Sequence, residues 1–145
     1  MNYFITAVRF EKVLENGLVK KVTERYLVDA LSFTEAESRT IEEMRPFISG
    51  EFSVTAVKTS KFSELFLAEE ADADIFYKVK IQFITLDERT GNEKKTSAEM
   101  LVEAADLRDA IRRFDEGMKG TMADYQIVSV AEMPIVGIIS APLAS

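Results

Sequence analysis

The chain has 145 residues, 47% of them hydrophobic and 30% charged, with a net charge of −7 and neither histidine nor cysteine. Such a length and balance fit one compact globular domain or two very small ones, and the negative charge works against non-specific attraction to nucleic acid or anionic membrane. Disulfides, thiolate chemistry, thiolate zinc sites and the usual general base near neutral pH are excluded.

The N-terminal stretch from Met1 to Arg9 lacks a basic start followed by an apolar run, so no secretory signal is expected. Tyr3 to Lys12 alternates instead, with Phe4, Val8 and Phe10 on one face and Ile5, Ala7 and Arg9 on the other, which is the period of a strand. Glu15-Asn16-Gly17 follows, and Asn-Gly accepts the positive φ angles of a primed hairpin turn. Val19 to Ala30 is therefore expected to return as the partner strand. Ser32-Phe33-Thr34-Glu35 has the pattern of a capping box. The helix behind it carries Phe33, Ala36, Thr40 and Met44 on one stripe, and Pro46 disfavours helix at Arg45. Phe52 to Val57 alternates again and reads as a third strand.

Phe62, Leu65 and Phe66 then form a short apolar patch, followed by an acidic linker at approximately 68–74 that is expected to be solvated. Tyr77, Val79, Ile81 and Phe83 alternate with Lys78, Lys80 and Gln82 in the clearest amphipathic strand of the chain. Thr90-Gly91-Asn92 turns it back. Asp106 stands as a helix cap before the stripe Leu107, Ala110, Phe114 and Met118, and Gly117 and Gly120 can end that helix with left-handed residues. Tyr125, Ile127 and Val130 mark a last strand. Ile135 to Leu143, the longest apolar stretch, is too short to cross a bilayer.

These elements form a pattern used twice. Lys20 matches Lys94, Leu27 matches Leu101 and Ala30 matches Ala104, an offset of 74 residues that also relates Gly17 to Gly91, Ser32 to Asp106 and the two helix stripes. Ile135, Ile138 and Ile139 stand to the second half as Phe62, Leu65 and Phe66 stand to the first. The expected architecture is α+β. It comprises two tandem strand-strand-helix-strand repeats, at approximately 1–67 and 75–140, in a single compact domain spanning 1–145. One unit alone buries little surface, so the two should pair about a pseudo-two-fold. About six mainly antiparallel strands would then carry both helices on one sheet face. The inward layer would include Phe4, Val8, Phe10, Tyr26, Val28, Phe33, Met44, Tyr77, Val79, Ile81, Phe83, Met100, Val102, Leu107, Phe114 and Met118.

The strings Glu15-Asn16-Gly17-Leu18, Leu27-Val28-Asp29-Ala30-Leu31-Ser32-Phe33-Thr34-Glu35, Ser49-Gly50-Glu51-Phe52, Phe83-Ile84-Thr85-Leu86-Asp87-Glu88 and Gly117-Met118-Lys119-Gly120-Thr121 resemble a family of Bacteroidetes and their mobile elements known as a domain of unknown function. The resemblance covers nearly the whole chain and implies no activity, substrate or catalytic residue.

No Gly-x-Ser-x-Gly, phosphate-binding loop or dinucleotide fingerprint occurs, so neither an enzyme nor a cofactor is expected, and no metal site. Gly117-Met118-Lys119-Gly120 matches the Gly-x-x-Gly of nucleic-acid-clamping loops, but a strand should follow it, so a helix-ending turn is the expected role. The two halves differ most on the sheet face away from the helices. There Tyr3, Ile5, Ala7 and Arg9 of the first half stand against Lys78, Lys80 and Gln82 of the second. The leading expectation is a non-enzymatic binding or assembly module that self-associates through the apolar part of this face and the C-terminal tail. The alternative is nucleic-acid binding through Tyr3, Lys78 and Lys80 with the hairpin-tip pairs Lys20-Lys21 and Lys94-Lys95. A homo-oligomer or a protein partner is expected in the cytoplasm, and no membrane partner.

Overall fold

A computed structural model describes residues 2–140. It is α+β, with the order β1 (Tyr3–Val13), β2 (Val19–Asp29), α1 (Phe33–Met44), β3 (Phe52–Ser60), β4 (Glu64–Phe66), β5 (Ile75–Leu86), β6 (Glu93–Ala104), α2 (Leu107–Gly117), β7 (Asp124–Met133) and β8 (Gly137–Ile139). The eight strands form two four-stranded sheets, where the sequence pattern suggests about six strands in one. Two compact units result, Phe62–Met133 and the described residues on either side of it.

The first unit has the strand order β3-β1-β2-β8. β1 pairs antiparallel with β2 and β3, and β8 adds to β2 in parallel. One sheet face packs Phe4, Val8 and Val28 against Ala36 and Met44 of α1, with Ile139 of β8 in the same core. Ser32 caps α1 by accepting from the Glu35 backbone N–H, and Glu35 reaches back to the N–H of Leu31. The capping box is thus formed, displaced by one residue on its return side. The helix ends at Met44, two residues before Pro46.

The second unit repeats these pairings in the order β4-β6-β5-β7. β5 is antiparallel to β6 and β7, and β4 lies parallel on β6. Its core gathers Tyr77, Val79, Ile81, Met100, Val102, Ala110, Phe114 and Met118. Phe114 is enclosed by edge-on rings on two sides, Phe66 at 5.7 Å and Tyr125 at 5.6 Å. Asp106 caps α2 by accepting from Asp109 N–H at 2.8 Å.

Each sheet thus takes its fourth strand from the segment that follows the other repeat in the chain. β4 follows β3 yet belongs to the second unit, and β8 follows β7 yet belongs to the first. The segment at 68–74 is tied into the second unit as well. Ala68 N–H donates to Glu103 at 3.0 Å, Glu70 pairs with Arg113 at 3.0 Å, and Ala73 is buried.

Four local expectations change. Gly17 alone takes a positive φ (83°) in the first turn, so Asn16-Gly17 is not a two-residue primed turn. The loop is longer, closed by the Leu14 N–H to Leu18 carbonyl bond at 2.8 Å, and the Asn16 side chain accepts from Leu18 N–H. Gly120 ends the second helix region at a φ of 92°, whereas Gly117 is not left-handed. Gly117 instead faces Phe66, which a Cβ would approach to 2.6 Å. Finally, Phe33 and Leu107, the first residues of the two helices, are 54% and 48% exposed and stand at the margin of the cores.

One outer strand of each sheet, β3 and β7, carries a bulge at the same place in the pattern. The register of β3 shifts opposite Ala7/Val8 and that of β7 opposite Lys80/Ile81. Bulges twist an edge away from further pairing, a protection against edge-to-edge aggregation. No helix among the described residues is long and apolar enough to cross a membrane.

Candidate functional site

The units also differ at their hairpin tips. In the first, Val13 pairs with Val19 across the strands, and Leu14 and Leu18 close the loop beyond them. All four are exposed, Val13 at 70% and Leu18 at 64%. In the second unit the corresponding loop is Asp87-Glu88-Arg89-Thr90-Gly91-Asn92, held by Asp87 and Thr90 side chains that accept from backbone N–H groups. Leaving four aliphatic side chains in water at a loop normally built from polar residues is unfavourable for an isolated domain.

Basic residues flank this tip. Lys12 and Lys20 face each other one step down the ladder, and Lys21 lies opposite Glu11. On the face away from α1, a depression of about 440 Å³ is lined by Arg9, Glu11, Lys21 and the Ser49–Ser53 segment. On the other face, one of about 380 Å³ is lined by Phe10, Lys12, Val13, Tyr26, Phe47 and Ile48, among others. Phe47 stands 79% exposed beside it. The Tyr26 hydroxyl donates to Glu24 at 2.7 Å. Its pKa is pushed well above the usual phenol range, first by burial and then by the Glu24 carboxylate.

The second unit offers a contrasting surface. A depression of about 480 Å³ is lined by Leu65, Phe66 and Leu67 together with Glu70, Glu103, Glu116, Arg112 and Arg113. Asp109 binds both arginines, Arg112 at 2.5 Å and Arg113 at 2.7 Å, and accepts from Ala105 N–H at 2.9 Å. The backbone donor first, then Arg113 and Arg112, hold its carboxyl well below the usual range. Glu70 takes the remaining side of Arg113. The rim arginines are thus balanced, while Glu103 accepts only from a backbone N–H and Glu116 meets Lys119 at 3.9 Å.

Of the residues singled out from the sequence, Arg9 and Lys21 are brought together on the wall of one depression, with Lys20 next to them on the opposite face. Tyr3 lies at the far end of the same strand, half-buried opposite Asp29. At about 3.4 Å per residue it is some 27 Å from Glu11. Burial and the Asp29 charge raise its pKa. Ile5 is half-buried, Ala7 is buried, and Ile135 and Ile139 are buried within the first unit, so these aliphatics are already used by the fold. The tail beyond 140 lies outside the described residues. Lys78 is half-buried opposite Leu101 and Ala131, Lys80 lies opposite Glu99, and Lys94 and Lys95 are exposed opposite Thr85 and Ile84.

Sequence reasoning missed Val13, Leu14, Leu18 and Val19. Their signal lies in comparing the two turns as closely as the two strands, since only one of them is apolar.

Fold and surface together define an α+β protein of two strand-strand-helix-strand units with one apolar, basic-flanked hairpin tip. Residues 2–141 match the model of the family described as Domain of unknown function (DUF4494), and the chain belongs to that family. No curated protein matches it.

Proposed function

We propose that the protein is a non-enzymatic binding module that docks a protein partner through the tip of its first hairpin. The observation that carries this reading is the exposure of Val13, Leu14, Leu18 and Val19 together, where the second tip exposes only Leu86 beside a polar loop. Burying aliphatic side chains returns roughly 25 cal/mol per Å², which gives a partner a reason to bind there. A photo-crosslinking residue at Leu18, compared with one at Thr90 in the polar loop, tests it in cells. The reading expects a discrete protein adduct from position 18 and none from position 90. Equal, diffuse labelling from both overturns it.

A second reading is supported by a different observation. Arg9, Lys21 and Arg25 are exposed on one face of the first sheet, and none forms an ion pair among the described residues. Successive same-face rows are about 7 Å apart along a strand, a spacing suited to an extended polyanion such as single-stranded nucleic acid. Fluorescence anisotropy with single-stranded DNA and RNA is the measurement. The reading expects binding that weakens steeply with salt and is lost in Arg9→Glu/Arg25→Glu. No binding at low salt removes it.

A further inference from the structure

We propose that the partner of the first hairpin tip is a second copy of this chain, which receives the tip in the depression over Leu65, Phe66 and Leu67. This rests on the reading of that tip as a docking element and specifies its occupant. Donor and acceptor surfaces are complementary in two independent respects. The tip presents Val13, Leu14, Leu18 and Val19, and the depression is lined in part by Leu65, Phe66 and Leu67, of which Leu67 is exposed. Around the tip stand Lys12, Lys20 and Lys21, and around the depression stand Glu103 and Glu116, neither of them engaged by the rim arginines. The rim arginines do not oppose the lysines, because Asp109 and Glu70 already hold them.

Charge also decides the kind of symmetry. Two tips meeting head to head would bring Lys12, Lys20 and Lys21 of each copy together, and like charges at a contact are unfavourable. A tip meeting the acidic rim is attractive. The contact is therefore heterologous, so two joined copies still have one free tip and one free depression between them, and the assembly grows as a chain or closes as a ring. A tip-sized contact falls below the ~1,000 Å² of a stable interface, so growth requires high concentration or copies held close together.

Two surface variants test this. Leu14→Asp/Leu18→Asp disables the tip, and Leu67→Asp/Glu116→Lys disables the depression. Light scattering across a wide concentration range is expected to show the wild type rising above monomer mass. Each variant alone should remain monomeric, and an equimolar mixture should stop at a dimer, since only one complementary pair remains. Zero-length carbodiimide crosslinks between labelled and unlabelled wild-type chains should join Lys20 or Lys21 to Glu103 or Glu116. A wild type that stays monomeric, a variant that associates alone, or a mixture that stays monomeric overturns the self-contact. If residue 18 still captures a discrete, different protein in cells, the binding reading survives that failure. If neither association nor capture is found, both fall.

Discussion

Thr6 and Thr40 share a hydrogen bond of 3.0 Å between two fully buried hydroxyls, at the point where the second unit packs Val79 against Phe114. Thr40 donates to the Ala36 carbonyl at 2.8 Å, so the proton between the two threonines belongs to Thr6. The same fold position is thus filled once by a polar pair and once by an apolar one.

The costs of removing either hydroxyl should be unequal. Thr40→Val leaves the Thr6 hydroxyl buried without an acceptor and is expected to cost about 1–3 kcal/mol. Thr6→Val leaves Thr40 still bonded to Ala36 and should cost about 0.5–1.5 kcal/mol. The double variant should fall short of the sum, because no orphaned donor remains. Urea titrations of the four proteins measure this. Strict additivity would show that the pair is not coupled.

Gly117 closes α2 directly beneath the Phe66 ring of β4. Alanine usually favours a helix over glycine by up to about 1 kcal/mol, but here the added methyl would overlap the ring. Gly117→Ala is therefore expected to destabilise, by about 1–3 kcal/mol as for an overpacked core. Adding Phe66→Leu should recover part of the loss. A gain in melting temperature from Gly117→Ala alone would show that the ring moves aside freely.

Local chemistry made much of this fold legible. The Ser32 and Asp106 caps, the helix stop before Pro46 and the alternation of Tyr77 to Phe83 each follow from interactions within a few residues, and each stands where the pattern placed it. The two sheets were not legible. β4 and β8 are three residues each, and which sheet edge receives them is decided by long-range packing of Phe66 and Ile139. Periodicity carries no trace of that choice. For the candidate site, Lys20 and Lys21 were visible as charges. The neighbouring Val13, Leu14 and Leu18 fall between the expected strands, because alternation says nothing about whether a strand outruns its helix.

Asp109 gives the second unit a pH dependence of definite sign. Its folded carboxyl is held below the ordinary value by Ala105 N–H, Arg113 and Arg112. The unfolded chain therefore binds the proton more readily, and the stabilisation is complete above the unfolded value of about 4 and lost as the pH falls below it. In Asp109→Asn, melting temperature should fall less steeply between pH 5 and pH 2, roughly the window over which such a carboxylate titrates. A variant whose acid profile parallels the wild type would show that other carboxylates govern the transition.

Ile139 tests the exchange of fourth strands. It follows the whole second repeat in the chain, yet it packs with Phe4, Val8, Val28 and Met44, while β8 covers β2 from Tyr26 to Val28. Ile139→Ala should cost about 2–5 kcal/mol, the range for a buried branched aliphatic, with the damage confined to one unit. Native-state hydrogen exchange is expected to speed up at the amides of β1, β2 and β3 and to remain unchanged across 62–133, since exchange follows the locally opening unit. Faster exchange in β5, β6 and β7 would instead assign the tail to the repeat it follows.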